Sequence, residues 1–168
     1  MTAVRFLLNG EPWSAAGVPP TMTVLDWLRG RARLTGTKEG CAEGDCGACS
    51  IVLGQRVNGS VRYQAVNACL MMLPQIDGCS VLTVEGLASP DGSLHPVQQA
   101  FKECHGLQCG YCTPGMVMNI VGRFEEPQPL DLTDDGIRDL LSGNLCRCTG
   151  YLNIIAAVRR AAELLGRT

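Results

Sequence analysis

Aromatic side chains are scarce in this 168-residue chain: three Phe, three Tyr and two Trp make up 5% of it. The length allows one ordinary domain or two small ones, and two small cores built with so few rings must lean on something besides burial. Charge is thin as well. Fourteen Lys and Arg stand against sixteen Asp and Glu, a formal net charge of −2, which lacks the basic excess that a sequence-independent grip on nucleic acid or an anionic membrane requires. Long apolar runs are missing. The first ten residues, MTAVRFLLNG, carry only a short apolar stretch at Phe6–Leu8, far below a secretory signal, and nothing approaches the roughly 20 apolar residues of a membrane span. No phosphate-cradling loop, dinucleotide fingerprint or Gly-x-Ser-x-Gly elbow is present either. These absences lead to the expectation of a cytoplasmic protein with no nucleic-acid partner and no membrane span.

What the chain does have is ten cysteines and 20 glycines, on a background of 46% hydrophobic and 18% charged residues that should fold. In a reducing compartment many cysteines point to metal ligation before disulfides, although a secreted domain with five disulfides would give the same even count. Asn58-Gly59-Ser60 fits a glycosylation pattern, but without a secretory signal it reads as turn chemistry. The cysteines fall into two groups, Cys41, Cys46, Cys49, Cys69 and Cys79, then Cys104, Cys109, Cys112, Cys146 and Cys148. Between them runs EGLASPDGSLHP, a Gly-, Ser- and Pro-rich stretch that reads as a linker. The expected organisation is a domain over residues 1–84, a linker over 85–96 and a second domain over 97–168.

The first domain reads as short strands with one helix. Val4–Leu8 and Glu11–Ala15 flank the hairpin signal Asn9-Gly10, and Ser50–Leu53 and Val61–Val66 join through Asn58-Gly59. Ser80–Val84 is a fifth strand. Thr23 caps a helix from Val24 to about Ala32. The second domain reads as four helices: Pro96 to about Cys104 with Gly106 as its stop, a helix capped by Thr113 and running to Phe124, Asp134–Ser142 capped by Thr133 and followed by Gly143, and Leu152–Leu165. The fold class is α+β.

Cys41-x4-Cys46-x2-Cys49 followed by Cys69 matches the plant-type [2Fe–2S] ferredoxin spacing. A binuclear cluster needs four thiolates converging from a tight loop and one distant segment. Gly36, Gly40, Gly44 and Gly47 punctuate that loop and let backbone N–H groups approach the cluster. Zinc would also accept four cysteines, but zinc sites usually pair them as two short knuckles. The second group is ambiguous by itself. Cys104-x4-Cys109-x2-Cys112 repeats the first spacing, while Cys109-x2-Cys112 with Cys146-x-Cys148 makes a different set. Cys104 lies inside a predicted helix, whereas both latter pairs precede predicted helix N-termini, which favour an anionic group. Disulfide and zinc readings remain open for these four on spacing alone.

GCAEGDCGAC at 40–49, CGYCTPG at 109–115 and NLCRCTGY at 144–151 together resemble the iron–sulfur subunit of the molybdenum hydroxylases, the family of xanthine dehydrogenase, aldehyde oxidoreductase and carbon monoxide dehydrogenase. The resemblance covers nearly the whole chain. It implies a β-grasp, plant-type ferredoxin-like domain followed by a four-helix bundle, each holding one [2Fe–2S] cluster. Cys41, Cys46, Cys49 and Cys69 match the ligands of the first, more exposed cluster, and Cys109, Cys112, Cys146 and Cys148 those of the second, buried one. Gln108 and Cys148 fall where the family contacts the pterin of the molybdenum cofactor. The implied role is electron transfer within a heteromeric oxidoreductase, this chain being its non-catalytic iron–sulfur subunit. Hydroxylation of an N-heterocycle, purine-like, or an aldehyde would take place at molybdopterin on a large partner subunit, with electrons leaving through the two clusters to an FAD-binding medium subunit. The assembly implied is a dimer of heterotrimers. The motifs lean toward the xanthine dehydrogenase and aldehyde oxidoreductase branch. An alternative is a freestanding ferredoxin-like carrier with transient partners.

The remaining candidates read as structural. Cys79 and Cys104 match no family ligand and are expected to be small buried side chains. His95 and His105 would suit a Rieske-type site, but eight cysteines already fill two sites, so both are expected in linker or capping roles. Asp45 and Glu85 have no second carboxylate at useful spacing. Met71, Met72 and Leu73 suit either core or an adaptable partner surface. Replacing Cys104 by Ala is expected to leave the EPR signals of two reduced clusters intact, and replacing Cys146 by Ala to erase one of them. The reverse result would overturn the ligand set.

Overall fold

A computed structural model describes residues 3–167; the ends of the expected domains, at residues 1–2 and 168, lie outside them. The Asn-Gly pairs act as read. Asn9 and Gly10 (φ 51° and 86°) and Asn58 and Gly59 (φ 50° and 85°) form two-residue turns. The first joins β1 (Val4–Leu8) to β2 (Glu11–Ala15), and the second joins β3 (Ser50–Val57) to β4 (Ser60–Asn67), both pairs antiparallel. Helix α1 (Val24–Gly30) crosses between the hairpins; the Thr23 hydroxyl accepts from the Asp26 N–H at 3.0 Å. Strand β5 (Ser80–Leu82) then inserts parallel to β1 and antiparallel to β3, giving the sheet order β2-β1-β5-β3-β4 of a β-grasp.

One face of this sheet buries α1. Phe6 and Trp27 pack edge to face with ring centroids 5.1 Å apart, and Trp13 meets Trp27 in the same way at 5.5 Å. Phe6 and Trp27 thus lie in one small core, with exposed Trp13 packed against its rim.

The helical half comprises α2 (Pro96–Glu103), α3 (Thr113–Phe124), α4 (Asp134–Leu140) and α5 (Leu152–Leu164). His95 is a cap: its Nδ1 accepts from the Val97 N–H at 3.2 Å, and Gln98 accepts in return from the His95 N–H. His105 sits just past α2 with φ 53°, where Gly106 N–H closes the helix on the Phe101 carbonyl.

Several sequence expectations shift. Helix α1 ends at Gly30, two residues short of Ala32, and α4 ends at Leu140 because Leu141 and Ser142 take up its last carbonyls in a tightened turn. Val84 leaves the fifth strand for a 3-10 turn (Val84–Gly86). Thr113 is the first residue of α3, not its cap; Cys112 occupies the cap and makes no side-chain capping bond.

The larger finding is that the sheet serves two cores, one on each face. Every residue of β3 from Ser50 to Gly54 is buried, on both faces of the sheet. Ile51 and Leu53 face α1, while Val52 joins the helical core with Phe101, Met116, Ile120 and Val121. The intervening stretch adds to the same core through Leu87, though Ala88–Leu94 is exposed. Helix α3 lies directly on the sheet at Gly122, where an added Cβ would stand 2.8 Å from the Ala65 nitrogen and 3.1 Å from its Cβ. Among the described residues no helix is long and apolar enough to cross a membrane.

Gly122→Ala is expected to force α3 away from β4 and to destabilise the chain by about 1–3 kcal/mol, the usual cost of overpacking. Denaturant unfolding checks this, and an unchanged midpoint would show that the helical half moves freely over the sheet.

Candidate metal centres

The loop from Cys41 to Cys49 has little regular structure and turns on positive-φ residues, Ala42 at 58°, Gly44 at 80° and Gly47 at 67°. That winding turns three backbone N–H groups, of Glu43, Asp45 and Cys46, onto the Cys41 sulfur at 3.5, 3.4 and 3.4 Å. Those donors, Cys46 first, hold the Cys41 thiol down at about 7, against 9.0 for an ordinary cysteine. Gly40 has no room for a side chain, since a Cβ there would sit 2.5 Å from the Cys46 sulfur. Cys49 opens β3 and Cys69 follows β4, and strand pairing brings their sulfurs to 3.3 Å. Both are buried, and burial pushes Cys49 up to about 12.

In the helical half the four remaining expected ligands also meet in pairs. The sulfurs of Cys109 and Cys148 lie 3.5 Å apart, and Cys112 at the head of α3 is hydrogen-bonded to Cys146. Burial raises the Cys112 thiol to about 12. Burial also acts upward on Cys146, but hydrogen bonds from the Thr149 hydroxyl, at 3.2 Å, and from the N–H groups of Thr149 and Cys148 outweigh it and leave the thiol below its ordinary range. Contact with Cys109 raises Cys148. Tyr151 (φ 69°) folds back over the loop, its hydroxyl accepting from the Cys146 N–H at 2.8 Å and donating to the Asn144 carbonyl at 3.0 Å.

Thiols that close two by two, fronted by backbone N–H donors, fit a [2Fe–2S] cluster, in which each iron takes two protein ligands. Among the described residues no three His, Cys, Asp or Glu side chains converge on one point as a single ion would require. Cys104 is half-buried at the end of α2, packed on the helical core and apart from these pairs. Cys79 is likewise half-buried, before β5, where Gln55 donates to it at 3.9 Å. Both were expected to be buried; each terminates an element and so keeps one side open. Asp45 has no carboxylate partner role, and Glu85 accepts from the Gly36 N–H and the Thr83 hydroxyl, tying the first loop to the sheet. Of the methionine run, Leu73 is buried, Met71 half-buried and Met72 exposed.

The exposures run opposite to expectation. Cys109 and Cys148 of the second set are exposed, as is Gln108, whereas Cys49 and Cys69 of the first are buried. The second set lies in loops at the N-terminal ends of α3 and α5, with Cys112 and Cys146 half-buried against the helical core. Around it stand exposed Leu107, Tyr111, Leu145 and Leu152, the last 71% accessible.

The two loops also touch each other. Leu145 N–H donates to the Cys46 carbonyl at 3.0 Å, Asn144 donates from its side chain to the Gly47 carbonyl at 2.9 Å, and the Tyr111 hydroxyl donates to the Glu39 carbonyl. Cys46 and Cys146 are therefore joined by covalent bonds and one hydrogen bond. Cysteine spacing gave no hint of Asn144, Gly47 or Gly115 in this contact. The available signal was the apolar run SIVLG, whose lack of alternation marks a strand covered on both faces.

A family model for a 2Fe-2S iron-sulfur cluster binding domain matches residues 6–73, and one for a [2Fe-2S] binding domain matches residues 83–159. The chain is 43% identical over 164 residues to an aldehyde oxidase of Homo sapiens, covering 96% of this chain and 12% of that protein. It is 43% identical over 152 residues to a xanthine dehydrogenase of Drosophila pseudoobscura pseudoobscura, covering 89% and 11%. The chain thus spans about an eighth of these curated relatives. Among solved structures, aldehyde oxidoreductase from Desulfovibrio gigas superposes with a TM-score of 0.83 at 34% identity, over 100% of this chain and 18% of that one. A chain of quinoline 2-oxidoreductase from Pseudomonas putida 86 superposes with a TM-score of 0.79 at 38% identity, over 99% of this chain and 98% of that one.

In chain stripped of metal that keeps its native circular dichroism, alkylation of Cys41 is expected to rise through about pH 7, because its thiolate is the favoured form above that value. Cys49 and Cys112 stay protonated to about pH 12 and should label slowly throughout. Mass spectrometry of iodoacetamide-treated chain reads this, and coincident pH profiles for Cys41 and Cys112 would contradict it.

Proposed function

Because the chain belongs to the iron–sulfur subunits of the molybdenum hydroxylases, the aldehyde oxidase and xanthine dehydrogenase family, we propose that it relays single electrons between a molybdenum-bearing partner and a flavin-bearing one. A [2Fe–2S] cluster, when bound, accepts and returns one electron. This chain's residues would hold two of them. Cys41, Cys46, Cys49 and Cys69 are the proposed ligands of the first, and Cys109, Cys112, Cys146 and Cys148 of the second.

The observation that carries the reading is the open second set of thiols within its apolar rim. A cluster there is one side short of enclosure, and Leu107, Tyr111, Leu145 and Leu152 are the kind of surface a stable partner covers. We assign that face to the large subunit carrying molybdopterin, with Gln108 and Cys148 meeting the pterin. The first set lies under a loop bearing exposed Glu39, Glu43 and Asp45 beside exposed Leu70, and we assign that side to the FAD subunit. Substrate oxidation then belongs to the large subunit, in a heteromeric complex, a dimer of heterotrimers in the cytoplasm. The named substrates of the similar enzymes, quinoline and aldehydes, support an N-heterocycle or an aldehyde.

Within the chain, backbone N–H groups at Cys41 and hydroxyl and N–H donors at Cys146 stabilise thiolate charge, and Cys49 and Cys69 are buried while Cys112 is half-buried against the helical core.

Tagged chain expressed with its neighbouring genes is expected to retain a molybdenum-containing partner, with about four iron and four acid-labile sulfide per chain. Replacing Leu145 and Leu152 by Asp should weaken that retention about tenfold or more while leaving iron content unchanged. A lone monomer holding iron and no molybdenum would instead favour the freestanding carrier.

A further inference from the structure

Asn144 is one of four buried polar or charged residues among those described, 3% accessible, and it lies where the two thiol-bearing loops meet. Its side-chain NH2 donates to the Gly47 carbonyl at 2.9 Å, its side-chain oxygen accepts from Asn119 of α3 at 2.7 Å, and its backbone carbonyl accepts from the Tyr151 hydroxyl at 3.0 Å. Gly47 lies between Cys46 and Cys49, Asn144 two residues before Cys146, and Tyr151 holds the Cys146 N–H. Asn119 is fixed in turn on the Leu140 carbonyl at 2.9 Å. The space admits no alternative partner: a side chain at Gly47 would collide with Asn144 and the Gly143 carbonyl, and one at Gly115 with the Gly47 carbonyl.

We propose that Asn144 is a positioning residue that fixes the separation and orientation of the two clusters, and through them the rate of electron exchange between the two. It acts on Cys46 and Cys49 through the Gly47 carbonyl and on Cys146 through Tyr151, and it touches no thiol itself. Ala at this position removes the donor that reaches the Gly47 carbonyl from the second loop, leaving that carbonyl only the N–H and hydroxyl of Ser50 in its own loop, and it removes one of the two acceptors of the Asn119 amide. Asp keeps the shape but sets a carboxylate oxygen against the Gly47 carbonyl, so both variants lose the side-chain link between the loops and keep only the Leu145 N–H to Cys46 carbonyl bond beside the Tyr111 contact. This inference rests on the two-cluster relay proposed above.

The test is EPR of the purified holoenzyme containing the full chain, reduced so that both clusters are paramagnetic. The splitting from their magnetic interaction should collapse in Asn144→Ala and Asn144→Asp, and inter-cluster electron exchange, followed after a reducing pulse, should slow by roughly tenfold, the lower range for outer ligand partners. Asn119→Ala, which frees Asn144 without removing it, should show the same change more weakly and decides the matter if Asn144 variants fail to assemble. Ile137→Val, a core change that only lowers the melting temperature, should leave splitting and rate unchanged. Wild-type splitting and rate in variants that carry both clusters would overturn the positioning role alone. A wild-type chain with fewer than two [2Fe–2S] signals would overturn the relay instead.

Discussion

Backbone packed on backbone, with no side chains between, is the constraint on which this structure depends. Gly47 of the first thiol loop is held between Gly115 at the head of α3 and the Gly143–Asn144 segment, and Gly122 brings α3 onto β4 in the same manner one helix face further along. Contact this close leaves every polar backbone group needing a partner, since a buried unsatisfied carbonyl costs about 1–3 kcal/mol. Ser50 and the Asn144 amide supply those partners at the Gly47 carbonyl, and the Leu145 N–H does so at the Cys46 carbonyl. The contact therefore specifies its own register, and a small slide would leave several groups unpaired at once.

The same contact resolves the problem set by the scarcity of aromatic rings. A five-stranded sheet covered by one seven-residue helix is a thin core, even with Phe6 and Trp27 packed in it and Trp13 against its rim. By covering the other face of β3 with α3, the chain makes Val52 part of a second core and stacks two marginal cores on one sheet in three layers. Salt bridges add little: all six among the described residues join partly or fully exposed side chains, such as Arg160 with Glu103 and Glu163.

Local chemistry was legible in the sequence. Two Asn-Gly turns, the Thr23 and Thr133 caps and the prolines opening α2 and α3 each act over a few residues, and each is found where the residues require it. Thr113 was misread because Cys112, which heads the helix, contributes no capping oxygen of its own, so the familiar Thr-Pro signal stood one residue too late. The packing of α3 on the sheet was not legible, because glycines at 115 and 122 signal flexibility as readily as close approach, and only the three-dimensional neighbour distinguishes the two. Exposure of Cys109 and Cys148 was hidden for a different reason. How open a loop-borne thiol lies depends on what packs over the loop, which cysteine spacing does not encode.

The pairing of β1 with β5 imposes an order in time as well as in space. Residues 7 and 8 must wait for residues 80 and 81 before the middle of the sheet exists, and all four thiols of the first set leave the ribosome before that wait ends. The grip on Gly47 needs Gly115 and then Asn144, later still. Synthesis from the N-terminus thus presents the first site while its enclosing sheet is still open and the second only when little of the chain remains to be made. The sequence of translation is a natural schedule for delivering iron to two sites whose loops the finished molecule joins by hydrogen bonds.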